Sequence, residues 1–212
     1  EVAAASQSTA VPATTTGPPN AMEIGESDDV GDPSGTWTVD TAIGQFGVNE
    51  ASGTFVGFRV KEVLGQGIGS TTAVGRTPLV DGTVEIDGTT LVAAEIVADL
   101  TGLRTDRSMR DSKVQDALNT DIHPEATFVL AGPLDLGVGS QVQVIAPGLF
   151  TVNGVTNPVE VDLAAELVGQ ILTVVGTIDL EFADYGIEAP TAPVVVSVED
   201  HGVVEVQLFL TR

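Results

Sequence analysis

The sequence predicts an all-β protein: an antiparallel barrel with one short helix inserted mid-chain, preceded by a disordered N-terminal tail. Three observations carry this. From Trp37 to Arg212, segment after segment alternates apolar and polar residues with the two-residue period of a half-buried strand. Compact turn pairs, Asp87-Gly88 and Asn153-Gly154 above all, join these segments into hairpins. A helical pattern occurs only between Leu91 and Phe128. Many antiparallel strands with one apolar face each must hide their edges in a closed sheet or a sandwich. An immunoglobulin-type sandwich fits the alternation but leaves the mid-chain helix unexplained, so the barrel is favoured.

Residues 1–35 read as a linker. Residues 1–20, EVAAASQSTAVPATTTGPPN, are mostly Ala, Thr, Ser and Pro, a composition that buries too little surface to offset chain entropy. They are a tether or stalk, whose threonines are O-glycosylation candidates. Glu23, Glu26, Asp28, Asp29 and Asp32 then form an acidic cluster ahead of Pro33. It lacks the alternation and closing Glu of a calcium loop, so a solvated linker is favoured.

The domain proper is expected over residues 36–212. After an opening strand at Trp37, Thr41 to Ala51 is rich in Gly and small residues and reads as an insertion. In Thr54 to Glu62, Val56, Phe58 and Val60 face the core, with Phe55, Gly57, Arg59 and Lys61 opposite. Gly65, Gly67 and Gly69 make Gly65 to Val74 a mobile loop or tight turn. Val80, Val84 and Ile86 alternate with Asp81, Glu85 and Asp87 before the turn into Leu91. There Val92, Ala94, Ile96, Ala98 and Leu100 share the inward face. Thr105 or Asp106 caps a short helix with Met109, Val114, Ala117 and Leu118 on one side, which Pro124 ends. Phe128 and Leu130, Val142 and Val144, and Leu149 to Val152 follow as short strands. Val159 to Leu167 and Leu172 to Phe182 form the clearest hairpin, around Gly169. Asp184 to Pro193 is a loop. The last strands place Val194, Val196 and Val198, then Val204 to Leu210, on apolar faces across a turn at Asp200-His201-Gly202.

Four motifs in order carry a family resemblance. These are Thr36-Trp37-Thr38-Val39-Asp40; GLRTDRSMRD from Gly102 with IHPEATF from Ile122; Gly148 to Pro158; and Asp184-Tyr185-Gly186-Ile187. Together they resemble the YceI-like family of lipocalin-like, polyisoprenoid-binding proteins over about Trp37 to Arg212. The resemblance implies a lipocalin-like β-barrel and an apolar ligand such as an isoprenoid lipid or quinone. The Thr41 to Ala51 insertion departs from the family's compact pattern.

Composition bounds the rest. Asp and Glu number 30 against 8 Lys and Arg, a net charge of −22, so nucleic acid is not an expected partner. The acids serve solubility and salt tolerance, or else recruit cations. With no cysteine there is no disulfide, thiol nucleophile, thiolate metal site or cysteine lipid anchor within these residues. The chain opens at Glu1 without an initiator Met or a basic, apolar leader, so a signal peptide is expected to have been removed or left out. The expected location is secreted, periplasmic or cell-surface. No HExxH, GxSxG or phosphate loop occurs, and His123 and His201 fall at a helix exit and a turn, so neither catalysis nor a metal is expected.

An eight-stranded barrel is either just filled by side chains or holds one small ligand. The inward positions are mostly Val, Ala, Gly, Leu and Ile, so an underfilled interior is favoured over one closed by curvature. The expected lining is Phe58, Ala94, Ile96, Phe128, Leu163, Ala165, Ile178 and Phe182. Arg107 and Arg110 are either headgroup contacts at a mouth or anchors of the helix. Two functions follow: an exported protein that sequesters or carries an extended apolar ligand, or a closed structural subunit of a surface assembly. Cavity volume separates them. Expected partners beyond the apolar ligand are a membrane-proximal or surface-assembly partner reached through the tail, and a second copy of the chain.

Overall fold

The computed structural model describes residues 31–190 and 195–212. The stalk 1–20, the acids Glu23, Glu26, Asp28 and Asp29, and Val194 lie outside the described residues. In chain order the strands are β1 Gly35–Val39, β2 Phe55–Leu64, β3 Gly69–Thr77, β4 Val80–Asp87, β5 Thr90–Asp99, β6 Arg104–Thr105, β7 Glu125–Leu130, β8 Leu134–Asp135, β9 Gln141–Val152, β10 Val155–Val168, β11 Ile171–Glu181, β12 Val195–Val198 and β13 His201–Thr211. The helix, α1, spans Asp111–Ala117.

Eight strands close into an antiparallel barrel in the order β1-β4-β5-β7-β9-β10-β11-β13 and back to β1. The register follows the turns. Asn153 and Gly154 have φ of 53° and 74°, the left-handed pair that matches strand twist, and they pin Val155 opposite Val152. The β4–β5 and β10–β11 hairpins form as expected. Strand β13 divides its second edge: Leu210 and Thr211 pair with β1, whereas Val203 to Gln207 pair with β2. The β2–β3 hairpin therefore extends the wall at one end, and β6 and β12 attach to it. The chain from β6 through α1 crosses from β3 to β7 and covers that end.

Several local expectations are corrected. Val92 is exposed and Leu91 buried, because Ile86 pairs with Leu91 while Glu85 pairs with Ala93, leaving Val92 as the extra residue of a bulge. Leu100 is buried but leaves the strand for a 3-10 turn, Leu100–Gly102. The loop expected over Gly65 to Val74 shrinks to the turn ahead of β3, because Gln66, Gly67 and Gly69 absorb the positive φ angles within it. The short segments around Val142 and Leu149 are one strand, β9. Pro147 is tolerated within it because its missing N–H would face β7 just where that strand ends, and its carbonyl accepts from Ala131 N–H at 2.9 Å. Val196 faces solvent: β12 pairs with β2 through an irregular register instead of folding back on β13.

Met109 also leaves the core, since Ser108–Arg110 is a 3-10 turn and α1 begins only at Asp111. Neither expected cap serves α1. The Thr105 hydroxyl bonds to Asp111 Oδ1 at 2.7 Å and to the Arg107 carbonyl at 2.6 Å, while Asp106 takes Arg110 Nη1 at 2.6 Å. Arg110 also pairs with the buried Glu62 of β2, which ties the helical segment to the wall.

One end of the barrel is fixed by Trp37, which is fully buried and donates from Nε1 to the Pro33 carbonyl at 2.8 Å. Arg212 stacks on its ring at 4.3 Å and donates to the carbonyls of Ser34 and Asp32. Outside the barrel, Arg76 is buried between the Phe55 ring, 4.1 Å away, and Glu205, which Arg59 also reaches. This explains why Phe55 is buried although it points away from the lumen.

Two stability predictions follow from these pairs. Glu205→Ala leaves the Arg76 guanidinium buried without a counter-charge and is expected to cost about 3–5 kcal/mol in urea unfolding. Arg110→Met strands Glu62 in the same way, whereas Glu62→Met combined with Arg110→Met is expected to recover most of that loss. A double-mutant cycle on unfolding midpoints checks it; additive single costs would contradict a direct pair.

Candidate functional site

The inward faces enclose two chambers. The first, about 420 Å³, lies between β4, β5, β7, β9, β10, β11 and β13. The second, about 590 Å³, lies between β2, β13 and the helical segment. Val56, Ala126, Phe150 and Val204 line both, so the chambers meet at a waist. Each volume falls within the usual range for small-molecule pockets.

Small side chains keep the lumen open. Around the first chamber stand Ala94, Ile96, Leu163, Ala165 and Ile178, with Phe128 as the large member. Phe58 and Phe182 border the second. The expected lining thus divides six to the first chamber and two to the second. The rings of Phe58 and Phe128 lie against glycines of neighbouring strands. A Cβ on Gly75 would stand 2.3 Å from the Phe58 ring, and one on Gly148 would stand 2.2 Å from that of Phe128. Each glycine gives its ring a place along the wall.

Phe150 lines both chambers and was not among the expected lining residues. It alternates with Ala146, Gly148 and Val152, but reading Val142 to Val144 and Leu149 to Val152 as separate short strands hid that run. Its ring meets Tyr185 edge-on at 5.8 Å. The Tyr185 hydroxyl is the one buried side-chain polar atom without a hydrogen-bond partner among the described residues. Burial, followed by the Asp184 carboxylate, pushes its pKa up. The nearby Asn157 amide donates instead to the Asp184 carbonyl at 2.8 Å.

Ionisable groups reach the chambers mainly at one end. Glu62, Arg107, Arg110 and Lys113 border the second chamber, while Asp32 borders the first. Both expected headgroup residues therefore stand at the helical end. Their states differ: Arg110 is engaged by Glu62 and Asp106, whereas Arg107 is about half exposed and only 3.9 Å from Asp106.

The histidines lie elsewhere. His123 packs over Gly154. His201 is exposed, with Nδ1 3.1 Å from Asp200 and Nε2 3.3 Å from Glu199. The Asp200 hydrogen bond raises its pKa, and Glu199 adds to the effect. Glu181, Asp200 and His201 bring one ligand atom each within 4.8 Å of one another in full solvent. They form a solvated cluster at the rim of β11 and β13.

Comparison with known proteins agrees with this architecture. A UPF0312 protein of Shewanella sp. (strain MR-4) is 32% identical over 148 residues, covering 65% of this chain and 76% of its own. A polyisoprenoid binding domain from Saccharophagus degradans, implicated in plant cell wall breakdown, matches with a TM-score of 0.61 at 18% identity, over 83% of this chain and 97% of that one. Burkholderia cenocepacia BcnA matches with a TM-score of 0.57 at 18% identity, over 81% and 98%. At these identities the solved structures speak to the fold alone. The sequence pattern of the YceI-like domain covers residues 37–210, and this chain belongs to the YceI-like family.

Proposed function

We propose that this protein sequesters or carries an extended apolar molecule, an isoprenoid lipid or quinone, within the two chambers, and that it does so outside the cytoplasm without catalysing a reaction. The observation that carries the reading is the pair of apolar chambers meeting at Phe150. A closed structural subunit would have this space filled. Family membership supports the ligand class, since one structural relative is described as polyisoprenoid binding. The chain lies along the lumen, past Phe128, over the waist and on between Phe58 and Phe182.

The polar end of the ligand belongs at the helical mouth, where nearly all the ionisable lining residues stand. Arg107 offers a charge there. Arg110, already neutralised, offers positioned N–H donors. Glu62 beside them disfavours a strongly anionic head and suits a hydroxyl or carbonyl one.

The test is to fill the lumen. Ala165→Trp, or Ala94→Trp, places a ring in the first chamber and is expected to abolish lipid retained after purification while the unfolding midpoint changes little. Gly148→Ala, which displaces the Phe128 ring, is expected to reduce it. Overpacking a solid core instead costs about 1–3 kcal/mol. Organic extraction with mass spectrometry, alongside urea unfolding, reads both quantities. Marked destabilisation, together with no lipid in the parent protein, would sink the carrier reading.

A further inference from the structure

The second chamber ends at a rim of a distinctive kind. Leu64 and Ala73 line the chamber from the two arms of the β2–β3 hairpin, so the turn between them stands beyond the chamber's edge. That turn carries Ile68, 60% exposed, and a Cβ on Gly67 or Gly69 would meet nothing within 4 Å. Val63, next to Leu64, is 38% exposed. Across the same edge, Val195 and Val198 of β12 line the chamber while Val196 between them is 70% exposed. Met109 borders the chamber from the helical segment and is 87% exposed. Four large apolar side chains thus project from three separate elements around one opening.

The charge of the two ends differs as well. Residues 104–113 hold four bases, Arg104, Arg107, Arg110 and Lys113, against two acids, in a chain with 30 acids to 8 bases overall. Lys61 adds a further exposed base beside Glu62 on β2. Glu188 and Glu199 stand on the loop and β12 side of this end. The far end of the first chamber also shows apolar side chains, Val138 foremost, but Asp32, Asp87 and Asp135 surround it. Its base, Arg212, is committed to the Trp37 ring and to backbone carbonyls.

We propose that the rim formed by Val63, Ile68, Met109 and Val196 docks on a phospholipid bilayer surface, with the second chamber opening toward the membrane. Exposed apolar residues grouped at an opening mark an interaction site. Apolar side chains that insert among acyl chains, with bases at headgroup depth, are the chemistry of an interfacial anchor. The phosphates of the headgroups meet Arg107, which is about half exposed and 3.9 Å from Asp106, whereas Arg110 is committed to Glu62 and Asp106, and Arg212 at the acidic far end to Trp37. The lumen runs to this rim, so an apolar molecule passes between bilayer and chamber without crossing water. The docking itself stands apart from the carrier reading; only this last step rests on it.

Sedimentation with phosphatidylcholine vesicles tests the proposal, using the full chain. The parent protein is expected to pellet with the vesicles. Ile68→Asp combined with Val196→Asp, two positions that do not line a chamber, is expected to weaken vesicle partition roughly tenfold or more, since two apolar side chains no longer leave water. Val138→Asp at the opposite end is expected to pellet like the parent. Unfolding midpoints confirm that both variants remain folded, and extracted lipid is measured in parallel. A parent that stays in the supernatant overturns the proposal and leaves the rim to a protein partner. So does a double variant that pellets as well as the parent, or a Val138→Asp variant that alone is lost. Vesicle binding in a protein that never yields lipid contradicts the carrier function while the docking stands.

Discussion

The structure depends on how little its strands place inside the ring they close. An eight-stranded barrel has just enough interior for ordinary side chains to fill it. Here Ala94, Ala98, Ala126, Ala146, Ala165 and Gly148 occupy facing inward positions, and the Phe58 and Phe128 rings lie along the wall over Gly75 and Gly148. The space of about 420 Å³ within the ring leaves its lining fewer dispersion contacts than a core filled by side chains would have. The fold tolerates this because closure of β1 onto β13 leaves the ring itself no unpaired edge and the ends are fixed separately. Trp37 and Arg212 hold one end; the Glu62, Arg110 and Asp106 group holds the helical segment at the other. A ligand that fills the lumen replaces the missing contacts and stabilises the folded state by mass action.

Charge is distributed on the same plan. Asp81, Glu85 and Asp87 on β4, and Glu160, Asp162 and Glu166 on β10, all face solvent. Their repulsion keeps the outer wall from associating. Among the described residues, buried charge is confined to pairs, Arg76 with Glu205 outside the barrel and Arg110 with Glu62 beside the second chamber. Inside the waist there is none, which suits a lumen for an uncharged chain.

Much of the barrel was legible because strand alternation and turn chemistry are local. The turn at Asn153-Gly154 and the one opening at Gly88 fixed two pairings, and six of the eight residues expected to line the lumen stand around the first chamber. What escaped the sequence depends on partners distant in the chain. The bulge at Val92 arises from register against β4, and Val196 turns outward because β12 joins β2. Phe150 was hidden because Val142 to Val144 and Leu149 to Val152 read as separate short strands, whereas pairing with β7 and β10 makes them one. Arg110 was read as a headgroup contact or a helix anchor. Its partner Glu62 lies 48 positions earlier, and no spacing rule links the two.

The central claim is that the two chambers form one lumen for one extended ligand. Native mass spectrometry of the delipidated protein with linear prenyl alcohols of increasing length tests it directly. The account predicts one molecule bound per chain and occupancy that keeps rising with length beyond what a single chamber accommodates. Occupancy that levels off at single-chamber length, or two short molecules bound at once with long ones excluded, would contradict it.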